Sequence, residues 1–540
     1  MTRVRSSGCI LAVGLAVTAA ACAKPAPPAP PRVAAGGETL VGEWVDEAAG
    51  LAVFRGVPYA APPVGSLRWR PPAAHAPRPG AQDATRFGPA CPQLQDNPDW
   101  YREVARRFGR PPEVVPDLER VDEDCLTLNV WSPGLRGGEL RPVLVWIHGG
   151  SNENGYSHEP NYLGHQLARR GVVVVSINYR LGALGFLAHP ALSGESERRL
   201  SGNYGLLDQI AGLRWVARNA AAFGGDAARI TAFGESAGAA DIATLLASPL
   251  GRGLFARAIL QSGGYQLNGE PTLDKEEASG VRLGQALGVE ASPDALRRLR
   301  ALSWPELVEA AKRALPEHSW GAVVDGWLLP KPSASIFEAG EQGAAELLVG
   351  SNANEWLMYL PEPATEAALR AALDSYVLER DRAAALGLLE AGSPSGLAAQ
   401  LDRLIGSAEF HCPSLAIARA ASRLTERVFV YRFTRVRPGG AKLLAYHGAE
   451  IPYVFDTADA WLPGDATDRA LTAKVLAYWV HFAKTGDPNA AGLPAWPAFS
   501  PPSEAHQVLG DEVRSARGLD RDLCRILDRR REEVTGGAAR

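Results

Sequence analysis

The run RITAFGESAGAAD, residues 229–241, constrains this chain more than any other stretch. Its apolar and partly β-branched start, Ile230 to Phe233, reads as a short buried strand. Small residues follow Ser236, and Ala237 to Leu246 is compatible with a helix. Between them lies Gly234-Glu235-Ser236-Ala237-Gly238, a G-x-S-x-G. A strand that turns this sharply into a helix holds its serine strained and exposed. The glycines answer the crowding that a Cβ would meet in so tight a turn.

Such a serine needs a base, an acid and donors for a developing oxyanion. The donors come from the backbone after the serine and from a loop after an earlier strand. That strand reads as Val143 to Ile147, followed by His148-Gly149-Gly150-Ser151. The chain order places an acid next and a histidine last. The strand Leu347-Leu348-Val349 runs into Gly350-Ser351-Asn352-Ala353-Asn354-Glu355, where Glu355 is the carboxylate just past the strand. Four histidines lie late enough: His411, His447, His481 and His506. His481 has helical neighbours, His411 adjoins Cys412, and His506 lies in a polar stretch near the end. His447 follows the strand Val428 to Phe433 in a loop, which is where α/β sheets keep reactive groups.

With these motifs in hand, the chain resembles the type B carboxylesterases. This is the α/β-hydrolase group that also holds cholinesterases and some lipases. Further landmarks are FRGVPYAAPPVGSLRWRPP (54–72), EDCLTLNVWSP (123–133), GNYGLLDQ (202–209), AILQSG (258–263), HGAEIPYVF (447–455) and HFAKTGDPN (481–489). The resemblance implies an α/β-hydrolase fold over residues 38–530, with a mainly parallel sheet flanked by helices. The longer stretches 265–345 and 356–426 hold helical pieces, which are expected to form the wall over the active site. The resemblance also implies Ser236 as nucleophile, Glu355 as acid and His447 as base, with Gly150, Ser151 and Ala237 as oxyanion donors. The next acids to consider after Glu355 are Asp241 and Glu450. The expected activity is hydrolysis of small carboxylic esters through an acyl-enzyme, without metal or cofactor. A lipase, a carbamate hydrolase and an acyltransferase share that chemistry. Binding proteins of the group that have lost the triad are set apart by the three residues retained here.

Four positions depart from the family's pattern. Ser151 stands where Gly or Ala is usual, Asn152 where an aromatic is usual, and Trp356 where a glycine follows the acid. Asp241 replaces a small or neutral residue. Trp100 and Tyr101 either line the gorge or pack their loop. Val115 stands where cholinesterases carry their choline-binding tryptophan, so no choline preference is implied.

A net charge of −4 and the absence of a basic run argue against nucleic-acid binding. At the N-terminus, Arg3 and Arg5 precede an apolar run from Ile10 to Ala21, too short to span a bilayer but suited to an export signal. Residues 1–21 are therefore expected to be the signal, Cys22 a lipidated anchor to a bacterial membrane, and residues 22–37 a Pro/Ala-rich tether. Ordinary cleavage after Ala23, giving a soluble periplasmic or secreted enzyme, is the alternative. Besides Cys9 in the signal and Cys22, four cysteines remain, with three possible pairings. The family resemblance implies Cys91–Cys125 and Cys412–Cys524.

Overall fold

The computed structural model describes residues 28–94, 96–135, 138–289, 294–392 and 396–538. The expected export signal, Cys22 and the tether as far as residue 27 lie outside the described residues.

A sheet of 11 strands runs through the molecule. In chain order these are β1 (Glu43–Asp46), β2 (Leu51–Pro58), β3 (Thr127–Ser132), β4 (Arg141–Ile147), β5 (Val173–Ile177) and β6 (Gly225–Glu235). They continue with β7 (Arg257–Gln261), β8 (Glu346–Asn352), β9 (Val428–Phe433), β10 (Ala505–Leu509) and β11 (Val513–Arg517). Across the sheet the order is β11-β10-β9-β8-β7-β6-β4-β5-β3-β2-β1. From β10 to β5 all neighbours are parallel. Antiparallel strands complete both edges. The mainly parallel sheet flanked by helices is therefore as expected.

The sequence explains why the sheet is buried on both faces. Side chains alternate along a strand, so a continuous apolar run feeds two cores. Val143, Val145 and Ile147 of β4 join one core, with residues of the helices α1 (Tyr204–Asn219) and α2 (Ala237–Ala247). Leu144 and Trp146 join the other, with Leu471, Val475 and Trp479 of α3 (Ala466–Thr485).

One expected boundary moves. Arg32–Ala35, assigned above to the end of the tether, is a strand antiparallel to Glu38–Val41, which in turn pairs with Ala81–Asp83. Val33 and Ala35 are buried, and Gly36 N donates to Asn219 Oδ1 at 2.8 Å. The alternation of Val33 and Ala35 is a strand signal two residues long, too short to stand out beside the proline-rich run before it.

Two disulfides, Cys91–Cys125 and Cys412–Cys524, are formed. Bonds of this kind persist in oxidising compartments outside the cytoplasm. Among the described residues no helix is long and apolar enough to cross a membrane.

Candidate active site

Sheet register gathers the carboxyl ends of neighbouring strands. Ile147 pairs with Gly234, Gln261 with both Glu235 and Gly350, and Asn352 with Phe433. The loops leaving β4, β6, β8 and β9 therefore emerge from one edge, as strand ends do in open α/β sheets.

Ser236 links β6 to α2 with φ 52° and ψ −123°. A non-glycine residue at positive φ is strained, typically by about 1–3 kcal/mol. Its own N–H is fixed by donation to Gln261 O at 2.9 Å. The flanking glycines are explained by close approach to β4. A Cβ on Gly234 would meet Ile147 O at 2.6 Å, and one on Gly238 would meet the same oxygen at 2.1 Å. The loop after β4 is equally tight against the elbow, since a Cβ on Gly149 would lie 2.7 Å from Glu235 O. Gly150, Ser151 and Asn152 all have positive φ, at 99°, 56° and 58°. The hydroxyl of Tyr179 donates to the backbone carbonyl of His148 at 2.8 Å and so ties the start of this loop to the end of β5. The His148 ring stacks on Tyr179, and burial pushes its imidazole down to about 4, so it is neutral.

Glu355 and His447 come together, with Oε2 and Nδ1 2.6 Å apart. The other oxygen of Glu355 accepts from Ser262 Oγ at 2.7 Å and from Asn352 N at 2.5 Å. His447 Nε2 lies 3.3 Å from Glu235 Oε1. Burial alone would push His447 down, but the carboxylates of Glu235 and Glu355 outweigh it and raise the imidazole above 6.5. Burial raises Glu235 as well, against the pull of His447.

The other late histidines lie elsewhere. His411 is buried beside Cys412, His481 is on α3 and bonds Asp487 O, and His506 is on β10. Glu450 does not bond His447. It accepts from Gln261 Nε2 at 3.0 Å and from Asn352 Nδ2 at 2.6 Å. The sequence reading did not single out Ser262, Asn352 or Gln261. Their signal is a polar residue at the end of an otherwise apolar strand.

Two departures find partners here. Trp356 has φ −111°, so its turn needs no glycine, and its N–H donates to Asp402 Oδ1 at 2.8 Å. Asp241 accepts from Gln209 Nε2 at 2.5 Å and from Asn152 Nδ2 at 3.2 Å. Burial raises Asp241 to about 7, against the lowering effect of those two amides.

Ser236 and His447 open on one cavity of about 860 Å³. Trp100, Tyr101, Trp320, Trp356, Tyr359 and Trp461 are among its walls. Trp100 and Tyr101 therefore line the cavity, and they also brace it. Trp100 Nε1 donates to the Tyr359 hydroxyl at 3.0 Å, and the Tyr101 hydroxyl donates to Glu159 at 2.7 Å. The expected wall regions contribute Tyr265, Trp320, Trp356 and Phe410, but Asp459 and Trp461 come from a later loop.

The model of the Carboxylesterase family matches residues 33–526. The chain is 38% identical over 488 residues to the fumonisin B1 esterase of Sphingopyxis macrogoltabida, covering 87% of this chain and 85% of that protein. It is 37% identical over 498 residues to the phenmedipham hydrolase of Pseudarthrobacter oxydans, covering 88% and 94%. A solved carboxylesterase of Geobacillus stearothermophilus superimposes with a TM-score of 0.79 at 32% identity, over 92% of this chain and 99% of that one. Fold, site and relatives agree: the chain belongs to the carboxylesterase family and is a carboxylic ester hydrolase.

Proposed function

We propose that the chain hydrolyses small carboxylic esters through an acyl-enzyme on Ser236. Ser236 Oγ attacks the ester carbonyl while His447 takes its proton through Nε2. Glu355 holds the imidazole by Nδ1 and stabilises the imidazolium. The N–H groups of Gly150, Ser151 and Ala237 receive the oxyanion. The alcohol leaves, and water cleaves the acyl-enzyme by the same base. The observation that carries this reading is the 2.6 Å contact of His447 with a Glu355 that is itself held by two donors, at the cavity onto which Ser236 opens. The enzyme is further proposed to be exported and anchored through a lipid on Cys22.

Ser236→Ala tests the reading. Loss of kcat on p-nitrophenyl esters by on the order of 10⁵–10⁶ is expected, with the fold retained. Retention of more than a few per cent of activity rejects Ser236 as nucleophile. A chain-length series of the same esters separates an esterase from a lipase, and an added acceptor alcohol reveals acyl transfer.

A further inference from the structure

The proposed oxyanion donors come from two separate segments. Gly150 and Ser151 belong to the loop after β4, and Ala237 begins α2. A side-chain bond joins these segments: Asn152, next to Ser151, donates to Asp241, on the first turns of α2. Both residues are buried, at 3% and 2% exposure. Gln209 of α1 donates to the other oxygen of Asp241, so the carboxylate is fixed from a third element. Asn152 is also held by its backbone, since its carbonyl accepts from Gly182 N at 2.6 Å. Asparagine suits the left-handed φ of 58° at this position. Two of the positions that depart from the family's pattern thus touch each other.

We propose that Asp241 and Asn152 are positioning residues that clamp the loop to the elbow helix and so set the separation of the oxyanion donors. The proposal rests on the assignment of Gly150, Ser151 and Ala237 as those donors. Neither residue need touch substrate. Loss of the clamp leaves the donors in place but misaligned with the oxyanion, which affects the transition state more than the bound ester.

The test compares Asn152→Ala, Asp241→Ala, Asp241→Asn and the Asn152→Ala/Asp241→Ala double variant. It measures kcat, KM, thermal midpoint and inhibition by an alkyl trifluoromethyl ketone, whose serine adduct carries an oxyanion. Each alanine variant is expected to lose kcat by on the order of 10- to 100-fold with KM nearly unchanged. Affinity for the ketone should fall in parallel. The double variant should be no worse than the poorer single one, because the two residues act as one bond. Asp241→Asn should recover much of the loss, since its oxygen still accepts from Asn152 and Gln209 can turn its own oxygen to the new amide. Losses that multiply in the double variant, a loss carried by KM, or unchanged kcat would each overturn the clamp. Should Asp241→Ala fail to fold, Asn152→Ala and Asp241→Asn decide by the same measurements. If Ser236→Ala is inactive while these variants behave as wild type, the clamp fails alone. If Ser236→Ala stays active, the serine mechanism fails first.

Discussion

His447 lies between two carboxylates, and both favour its protonated form. A general base must be neutral to accept the serine proton. Because the folded imidazole binds its proton above the ordinary 6.5, the rate should climb with pH through a value higher than 6.5. Burial raises Glu235 too, so the carboxyl and the imidazole share a proton and titrate together; Glu235→Gln removes that partner, so the acid limb of kcat/KM should move to lower pH. A pH–rate profile checks this, and an unmoved limb would show that Glu235 does not set the base. At this scale the sequence is legible where chain order and strand ends combine, as in the contact of Glu355 with His447 beside the cavity that Ser236 lines. It is not legible for Ser262, Asn352 and Gln261, whose roles depend on which strand lies beside which. Asp241 is visible as an anomaly, but its partner Asn152 is 89 positions away.

Among elements, the elbow and the disulfides lead to different tests. Gly238→Ala should damage the fold far more than Ser236→Ala, because its Cβ would sit 2.1 Å from a backbone oxygen of the neighbouring strand, which has no room to yield. Overpacking of this kind costs about 1–3 kcal/mol or more, measurable as a lower urea midpoint. The disulfides act on the unfolded chain. With separations of 34 and 112 residues, the loop-entropy model gives about 4 kcal/mol for Cys91–Cys125 and about 5 kcal/mol for Cys412–Cys524 as upper values. Paired Cys→Ala variants compared by urea unfolding test that order. The central strands are legible as apolar runs, and Ile230 to Phe233 marks the middle of the longer elbow strand. The strand Arg32–Ala35 is hidden because its partner Glu38–Val41 reads as a strand only once the two are paired.

For the whole molecule, the strand at Arg32 shortens the expected linker, and the chain is tied to the domain even earlier, since Pro31 O accepts from Gly42 N and Ala29 O from Trp44 Nε1, each at 2.9 Å. If Cys22 is the anchor, the enzyme should fractionate with membranes, and Cys22→Ala should release it or leave it unprocessed while the active site stays intact. Mass spectrometry of the mature N-terminus checks this, and an unmodified chain beginning at Lys24 would refute the anchor. The family is legible because its landmarks recur along most of the chain, whereas the cavity is not, since its walls come from distant loops. That cavity has a consequence for what leaves it. Ester hydrolysis turns a neutral molecule into an anion, and among the described residues the walls carry Glu153, Glu159, Glu235, Glu317, Glu409 and Asp459 but neither lysine nor arginine. The newborn acid finds no lysine or arginine there to hold it, and the cationic groups that face it are the imidazoles of His447 and His318. Weak inhibition by the acid product is therefore expected, and tight product inhibition would show that the imidazolium of His447 holds the acid.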